Sequence, residues 1–166
     1  MAGDYRRDAR ATQWPATVVS AMYEFLRYQV RHVMTRDPVC VAPGARLADV
    51  QALLERHEFE AVPVVDDAGR LLAIVSKLDL LKAFIFTPDS IVPPYTDIMQ
   101  RPIDDVMTRQ PLTVDPDLPL TRVVELMVNT RNKSFPVVQD GRVVGIVARE
   151  NVLTALRRAA SGQEPA

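Results

Sequence analysis

Residues 61–80 read AVPVVDDAGRLLAIVSKLDL, and residues 134–151 read SFPVVQDGRVVGIVAREN. Each stretch runs from a short apolar segment through a loop containing Asp and Gly into a second apolar segment. Short apolar runs on either side of a Gly-containing loop are typical of a β-hairpin. In both places the return segment is followed by a polar tetrad that begins a helical pattern. Each stretch therefore predicts a strand, a turn, a second strand and the start of a helix.

The similarity between the two stretches extends well beyond them. Val-Met-Thr at 33–35 recurs at 106–108, an offset of 73 residues, and Pro-Val-Val at 63–65 recurs at 136–138 with the same offset. The second hairpin loop is one residue shorter, so the offset becomes 72 after it. Matching of this length, with its single gap inside a loop, indicates an internal duplication with a period too long for a solenoid.

We therefore expect an α/β (α+β) fold of two tandem β-α-β-β-α units related by a pseudo-two-fold axis and preceded by an N-terminal helix. The first strand of the first unit is expected in the β-like run 39–41. An amphipathic helix is expected up to about Val30, because Val18, Met22 and Phe25 recur at helical spacing. The predicted boundaries are 1–31 for the N-terminal extension and helix, 32–84 for repeat 1, 85–102 for a connector packed across one repeat, 103–158 for repeat 2 and 159–166 for a tail.

Composition excludes several classes of function. The net charge of −1 and an aromatic content of 6% give no basis for nucleic-acid binding. A single cysteine, Cys40, and two histidines at unrelated positions predict neither a disulfide nor a metal site. No apolar run approaches the ~20 residues that span a bilayer, so we expect a cytoplasmic protein. The absence of a P-loop, a Rossmann glycine pattern and a nucleophile elbow argues against an enzyme.

The repeated motifs resemble those of the cystathionine-β-synthase (CBS) domain pair, also called a Bateman module. The tetrad Ser76-Lys77-Leu78-Asp79 is similar to the family's Ser/Thr-x-x-Asp motif. The other motifs that carry the resemblance are V-M-T-x-x-P at 33–38 and 106–111, h-P-V-V at 62–65 and 135–138, and G-x-h-h-x-I-V at 69–75 and 141–147, where h is apolar.

The resemblance implies that an adenosyl ligand, among AMP, ADP, ATP and S-adenosylmethionine, binds in a cleft between the repeats. It also implies that Asp79, beside Ser76, accepts hydrogen bonds from the ribose hydroxyls. A carboxylate can accept from both hydroxyls, and charge-assisted hydrogen bonds are stronger than neutral ones. The same two residues also form a helix-capping pattern, so a purely structural role stays open.

The second repeat departs from the family pattern at the same place. Its tetrad, Ala148-Arg149-Glu150-Asn151, has neither the hydroxyl nor the carboxylate. Arg149 and Asn151 remain candidates, and the amide of Asn151 is expected to bind a ribose less strongly than a carboxylate does. We therefore expect at most one strong nucleotide site. Thr35, Thr108 and Thr113 are candidates for contacts to a base or phosphate, with turn and edge-strand hydrogen bonding as the alternative.

The loops before the two buried strands differ in charge. Repeat 1 has Glu58-Phe59-Glu60 and repeat 2 has Arg131-Asn132-Lys133. In similar modules these residues lie near the phosphates, so the acids would repel a phosphate, whereas Arg131 and Lys133 would attract one. The ribose motif is therefore expected in the half with the unfavourable phosphate surroundings, and Lys133 in the other half. A solvated charged loop is the alternative interpretation.

Two functional hypotheses follow from the sequence. The first is a regulatory module that binds an adenine nucleotide between its repeats, forms a homodimer and signals to a regulated partner protein. The second is a structural or interaction module that binds no ligand, in which case the altered second tetrad reflects loss of a site. The sequence does not identify the partner.

Overall fold

The computed structural model describes residues 22–165. Residues 22–25 are helical, and Val18 lies outside the described residues. None of the helices in the described part is long and apolar enough to cross a membrane. The elements of repeat 1 are a 3-10 turn at Val30–His32, β1 (Thr35–Arg36), α1 (Leu47–Arg56), β2 (Ala61–Val65), β3 (Leu71–Ser76) and α2 (Lys77–Lys82).

Repeat 2 has the same order of elements. It is introduced by α3 (Tyr95–Met99), which stands in the segment predicted to be a connector. The remaining elements are a 3-10 turn at Ile103–Asp105, β4 (Thr108–Arg109), α4 (Leu120–Thr130), β5 (Ser134–Gln139), β6 (Arg142–Ala148) and α5 (Arg149–Ala160). The predicted duplication and the mixed α+β class are both confirmed.

The two repeats exchange their first strands. β1 pairs antiparallel with β6 of repeat 2, and β4 pairs antiparallel with β3 of repeat 1. Two three-stranded sheets result, in the orders β1-β6-β5 and β2-β3-β4. The registers are equivalent, because Thr35 lies opposite Ile146 as Thr108 lies opposite Ile74. Each sheet therefore contains a strand from the other repeat.

The prediction of a first strand at 39–41 was wrong. The strand occupies 35–36 and ends where Asp37 takes a left-handed conformation, with φ of 47°, before Pro38. Pro38 has no backbone N–H to donate to a neighbouring strand, so the pairing does not continue past this point. Of the predicted run, Val41 makes an isolated parallel bridge with Val64.

The segments that precede the repeats are exchanged in the same way. Phe25, Tyr28 and Val30 are buried in the core of repeat 2, whereas Ile98 and Ile103 are buried in the core of repeat 1. The predicted connector therefore breaks the repeat pattern only in its first part. From 95 onward it is the counterpart of 22–32, and it contributes to a core where we had expected surface packing.

The N-terminal helix ends earlier than predicted. Helical geometry stops at Phe25, and the amides of Leu26 and Arg27 donate to carbonyls three residues back, as in a tightening last turn. Gln29 is then extended and bridges to Pro119, just as Arg46 bridges to Pro102 in the equivalent place. The pairing with repeat 2 ends the helix before Val30.

Gly145 allows β1 to reach the second sheet. A Cβ atom there would lie 2.7 Å from Met34 Sδ and 3.0 Å from the Thr35 carbonyl oxygen. A side chain at this position would require Met34 to move and the Thr35 backbone to shift by a few tenths of an ångström, so glycine favours the close approach of the two strands. The equivalent residue of repeat 1 is Ala73, opposite Arg109 of β4.

Candidate functional site

Two clefts open along the seam between the repeats, and equivalent residues line them. The larger, of about 690 Å³, contains Ser76, Asp79 and Thr108. The smaller, of about 370 Å³, contains the counterparts Ala148, Asn151 and Thr35. We call them the Asp79 cleft and the Asn151 cleft. Each is lined by both repeats, because the exchanged strands bring Thr108 to α2 and Thr35 to α5.

Asp79 is the buried charged group of the Asp79 cleft, with 4% of its surface exposed. It lies in the first turn of α2, where Ser76 is the N-cap and accepts a hydrogen bond from the Asp79 amide at 3.2 Å. In return, Asp79 Oδ2 accepts from the Ser76 amide at 2.8 Å and from Ser76 Oγ at 2.7 Å. The capping interpretation of this tetrad is therefore confirmed.

The other oxygen of Asp79 faces the second repeat. Asp79 Oδ1 accepts from Lys82 Nζ at 2.5 Å and from Thr108 Oγ1 at 3.0 Å. Burial alone raises the pKa of the Asp79 carboxyl, but the hydrogen bonds from Lys82, Ser76 and Thr108 together outweigh burial and hold the pKa below its usual value. Asp79 is thus ionised at neutral pH and ties the two repeats together through Thr108.

The basic loop of repeat 2 lies in this same cleft. Arg131, Asn132 and Lys133 line it together with the Ser76–Asp79 tetrad. The expectation that the ribose motif and the basic loop occupy different halves was therefore wrong. Its physical error was to treat each repeat as a separate site, whereas each cleft combines the tetrad of one repeat with the loop of the other.

Glu60 and Lys133 meet where the two clefts adjoin. Lys133 Nζ donates to Glu60 Oε2 at 2.8 Å, and Lys77 Nζ lies 3.7 Å from Glu60 Oε1. The hydrogen bond from Lys133 is the main cause that lowers the pKa of the Glu60 carboxyl, with further contributions from Lys77. Glu60 lines both clefts, so its charge is shared between them.

The Asn151 cleft is lined by acidic side chains, whereas the basic loop of repeat 2 lines the Asp79 cleft. Its lining includes Asp37, Glu58, Glu60 and Glu150, and no lysine or arginine stands among its described lining residues. Asn151 Oδ1 accepts from the Ala148 amide at 2.8 Å, which repeats half of the capping box of α2. The residues of this cleft that were predicted as site residues are Thr35 and Asn151.

Two predicted residues lie outside both clefts. Arg149 donates to the Arg131 carbonyl at 3.1 Å and lies over a separate apolar pocket with Val152 and Leu156. Thr113 is exposed next to Val114 and lines neither cleft. Conversely, Lys77 and Lys82 line the Asp79 cleft but were not predicted. For Lys82 a signal was available, since a lysine three residues after an aspartate shares its helix face.

The comparisons with known proteins agree with this architecture. A family model for the CBS domain matches residues 30–85 and 103–158, more than half of the chain. The protein therefore belongs to the CBS domain family, with two repeats forming a CBS pair.

Similar proteins include enzymes and stand-alone pairs. The A-adding tRNA nucleotidyltransferase of Aquifex aeolicus is 29% identical over 134 residues, which are 81% of this chain and 15% of that protein. The structure of CBSX2 from Arabidopsis thaliana in complex with AMP has 29% identity and a TM-score of 0.68, covering 79% of this chain and 97% of that one. The CBS pair of protein MJ0100, in complex with 5′-methylthioadenosine and S-adenosyl-L-methionine, has 26% identity and a TM-score of 0.64, covering 76% and 94%.

Proposed function

We propose that this protein is a regulatory module that binds a phosphorylated adenosine in the Asp79 cleft. The observation that carries the proposal is the meeting of Asp79 with Arg131 and Lys133 in one cleft. A buried ionised carboxylate suits the two hydroxyls of a ribose, and an arginine with a lysine suits the oxygens of a phosphate. A single ligand that carries a ribose and a phosphate can contact both the carboxylate and the cationic side chains of the cleft.

The charges of the two clefts favour different ligands. The Asp79 cleft has four cationic side chains, Lys77, Lys82, Arg131 and Lys133, against the carboxylates of Glu60 and Asp79. Clefts lined by one sign of charge concentrate ligands of the opposite sign. Phosphates are therefore favoured in the Asp79 cleft and disfavoured in the Asn151 cleft, where carboxylates predominate. This supports one strong nucleotide site, as the altered second tetrad also does.

The ligands bound in similar structures support the class of ligand. AMP is bound by CBSX2, and 5′-methylthioadenosine and S-adenosyl-L-methionine are bound by the MJ0100 pair. The shared feature of these ligands is an adenosyl group. We infer that the adenosyl group is common to the ligand of this protein, and that the cations of its Asp79 cleft favour AMP, ADP or ATP over S-adenosylmethionine.

The regulatory mechanism rests on the bond between Asp79 and Thr108. This bond joins α2 of repeat 1 to β4 of repeat 2. A ligand whose ribose takes the same carboxylate changes how the repeats are held together, and so favours one arrangement of them over another. We propose that a cytoplasmic homodimer passes this change to a regulated protein, and that the module itself is not catalytic.

Differential scanning fluorimetry followed by titration calorimetry tests the proposal. A ligand at 100 times its dissociation constant stabilises the folded state by ~2.7 kcal/mol, or roughly 5–10 °C in midpoint for a chain of this size. AMP, ADP and ATP are expected to raise the midpoint more than S-adenosylmethionine does, and Lys133→Met is expected to reduce the rise. An unmoved midpoint with all four ligands at millimolar concentration contradicts the proposal.

One observation favours a second candidate, a structural module without a ligand. Asp79 has hydrogen-bond donors of its own chain on both oxygens, so its burial is satisfied without any ligand. Under this hypothesis the carboxylate serves only to join the repeats. The same titration separates the candidates, because a structural module shows no saturable heat with any of the nucleotides.

A further inference from the structure

Within residues 22–165, four hydrogen bonds occupy the acceptor positions of the Asp79 carboxylate. An ionised carboxylate offers about four acceptor sites, and Asp79 uses two on Oδ2 for Ser76 and two on Oδ1 for Lys82 and Thr108. The two Ser76 bonds belong to the cap of α2 and lie within one turn. A ribose hydroxyl that bonds Asp79 must therefore take the place of Lys82 or Thr108 on Oδ1.

Lys82 is the charged group among the two that a ribose displaces. Its ammonium lies 2.5 Å from Asp79 Oδ1, and its other contacts are neutral: the Val106 carbonyl at 3.2 Å and Thr108 Oγ1 at 3.5 Å. Once a ribose hydroxyl occupies Oδ1, Lys82 loses its single anionic partner among the described residues. The Lys82 side chain is 45% exposed, so water solvates the freed ammonium in part, and the lost contact corresponds to about two- to fivefold in affinity.

The neighbouring carboxylate cannot supply that partner. Glu60 already pairs with Lys133 and lies within 3.7 Å of Lys77. The Asp79 cleft thus holds three lysines for two carboxylates, and freeing Lys82 leaves one more unpaired cation in it. A phosphate brought in by the ligand supplies the missing negative charge, whereas an uncharged nucleoside does not.

This arrangement is specific to the Asp79 cleft. The counterpart of Lys82 in repeat 2 is Thr154, and the counterpart of Asp79 is Asn151. Asn151 Oδ1 accepts one hydrogen bond, from the Ala148 amide, in the described part of the chain. The competition for a carboxylate therefore has no equivalent in the Asn151 cleft.

We propose that Lys82 determines the ligand class of this site, selecting phosphorylated adenosine over unphosphorylated adenosyl compounds by competing with the ribose for Asp79. A nucleoside whose two ribose hydroxyls both bond Asp79 takes the places of Lys82 and Thr108, and so breaks the ion pair between Lys82 and Asp79 without replacing it. A nucleotide breaks the same pair and gives the ammonium a phosphate oxygen instead. The inference rests on the proposed function, because it concerns the ligand of the same cleft.

Titration calorimetry with adenosine and with ADP tests this role. Lys82→Met keeps most of the side-chain length and removes the charge. It is expected to strengthen adenosine binding and to reduce the ratio of the two dissociation constants, adenosine over ADP, by about two- to fivefold, the factor that corresponds to one exposed ion pair. Arg158→Met removes the same charge from an exposed position of α5 outside both clefts, and should leave the ratio unchanged.

Two further variants complete the test. Lys82→Gln keeps an N–H donor for Asp79 Oδ1 and guards against loss of folding in Lys82→Met; the same fall in the ratio is expected. Thr108→Val frees Oδ1 without changing the charge, and should strengthen adenosine and ADP binding alike. An unchanged ratio in both Lys82 variants overturns the role of Lys82 while leaving the proposed function intact. Failure of the unaltered protein to bind ADP overturns both.

Discussion

Glu60 and Lys133 occupy equivalent positions of the two repeats, and their side chains pair with each other across the seam. Lys133 Nζ lies 2.8 Å from Glu60 Oε2. The duplicated position thus carries opposite charges in its two copies, and Glu60 lines both clefts. Any phosphate that draws Lys133 toward itself weakens this pair and leaves the Glu60 charge less compensated at the Asn151 cleft.

Glu60→Gln is therefore expected to strengthen nucleotide binding. The phosphate then no longer competes with a carboxylate for Lys133 and Lys77, and exposed ion pairs of this kind correspond to about two- to fivefold in affinity. The gain should shrink as salt is raised, because exposed charges are screened. Titration calorimetry with ADP at low and high salt measures both effects.

A matched control for this substitution is Glu125→Gln. It removes one charge of an exposed ion pair, that with Arg122 on α4, outside both clefts. ADP affinity should be unaffected in this variant. Equal gains in Glu60→Gln and Glu125→Gln would show that overall charge, and not the pair at the seam, sets the affinity.

Asp79→Asn is expected to destabilise the protein as well as abolish nucleotide binding. The amide has one acceptor oxygen, whereas the carboxylate has two. Its NH2 group therefore faces the donors of Lys82 and Thr108, or those of Ser76, and cannot accept hydrogen bonds from them. Leaving such buried groups unpaired costs about 1–3 kcal/mol. Urea unfolding measures the loss of stability, and calorimetry below the unfolding transition measures binding.

The reverse exchange in repeat 2 provides its control. Asn151→Asp keeps the oxygen that accepts from the Ala148 amide and places an acid in the first turn of α5. Acids are favourable at helix N-termini, whereas the other carboxylates of the Asn151 cleft oppose this gain, so stability should change little. If Asp79→Asn proves as stable as the unaltered protein, Asp79 does not join the repeats as described.

The contribution of Asp79 to stability should depend on pH. Its folded-state pKa lies below the value of an unfolded aspartate, which is about 3.9. The contribution is therefore complete above the unfolded pKa and is lost as the pH falls through the folded pKa. Glu60 and Asp66 also have lowered pKa values, so the difference between the unaltered protein and Asp79→Asn isolates Asp79.

Urea unfolding of both proteins at about pH 7 and about pH 3 measures this difference. The gap in unfolding free energy should narrow at the lower pH. A gap that stays constant would mean that Asp79 is protonated, or equally hydrogen-bonded, in the folded and unfolded states.

Gly145→Ala is expected to weaken the exchanged strand. The added methyl group would lie 3.0 Å from the Thr35 carbonyl oxygen and 2.7 Å from Met34 Sδ, and overpacking of this kind costs about 1–3 kcal/mol. Urea unfolding measures the loss. Met34→Ala in the same background should recover part of it, because the sulfur contact is then removed. Full stability of Gly145→Ala would show that Met34 and the Thr35 backbone adjust to the added methyl group.

Much of the fold was predictable because its signals are local. The hairpins at 61–80 and 134–151 are marked by apolar runs around glycine loops, and the constant offset between them indicates the duplication. The two-residue strand β1 carries no such signal, since its partner Ile146 lies in the other repeat. Propensity can indicate an extended segment but cannot identify a distant partner.

Only some residues of the candidate cleft could be picked out from the sequence, and their assembly could not. Four of the predicted residues line one cleft, namely Ser76, Asp79, Thr108 and Lys133. Their combination depends on the pseudo-two-fold relation, which decides which loop faces which tetrad. The sequence comparison within each repeat therefore paired the acidic loop with Asp79, whereas the folded chain brings the basic loop of repeat 2 to it.

The exchange of first strands also bears on how such a chain arose and how it can be divided. A fragment cut at the connector would hold a hairpin whose long strand has an open edge, together with a short strand that has nothing to pair with. Two such fragments can pair their open edges and short strands only by associating with each other. An ancestor with a single repeat would thus be an obligate homodimer. The present chain corresponds to that dimer with its two subunits fused.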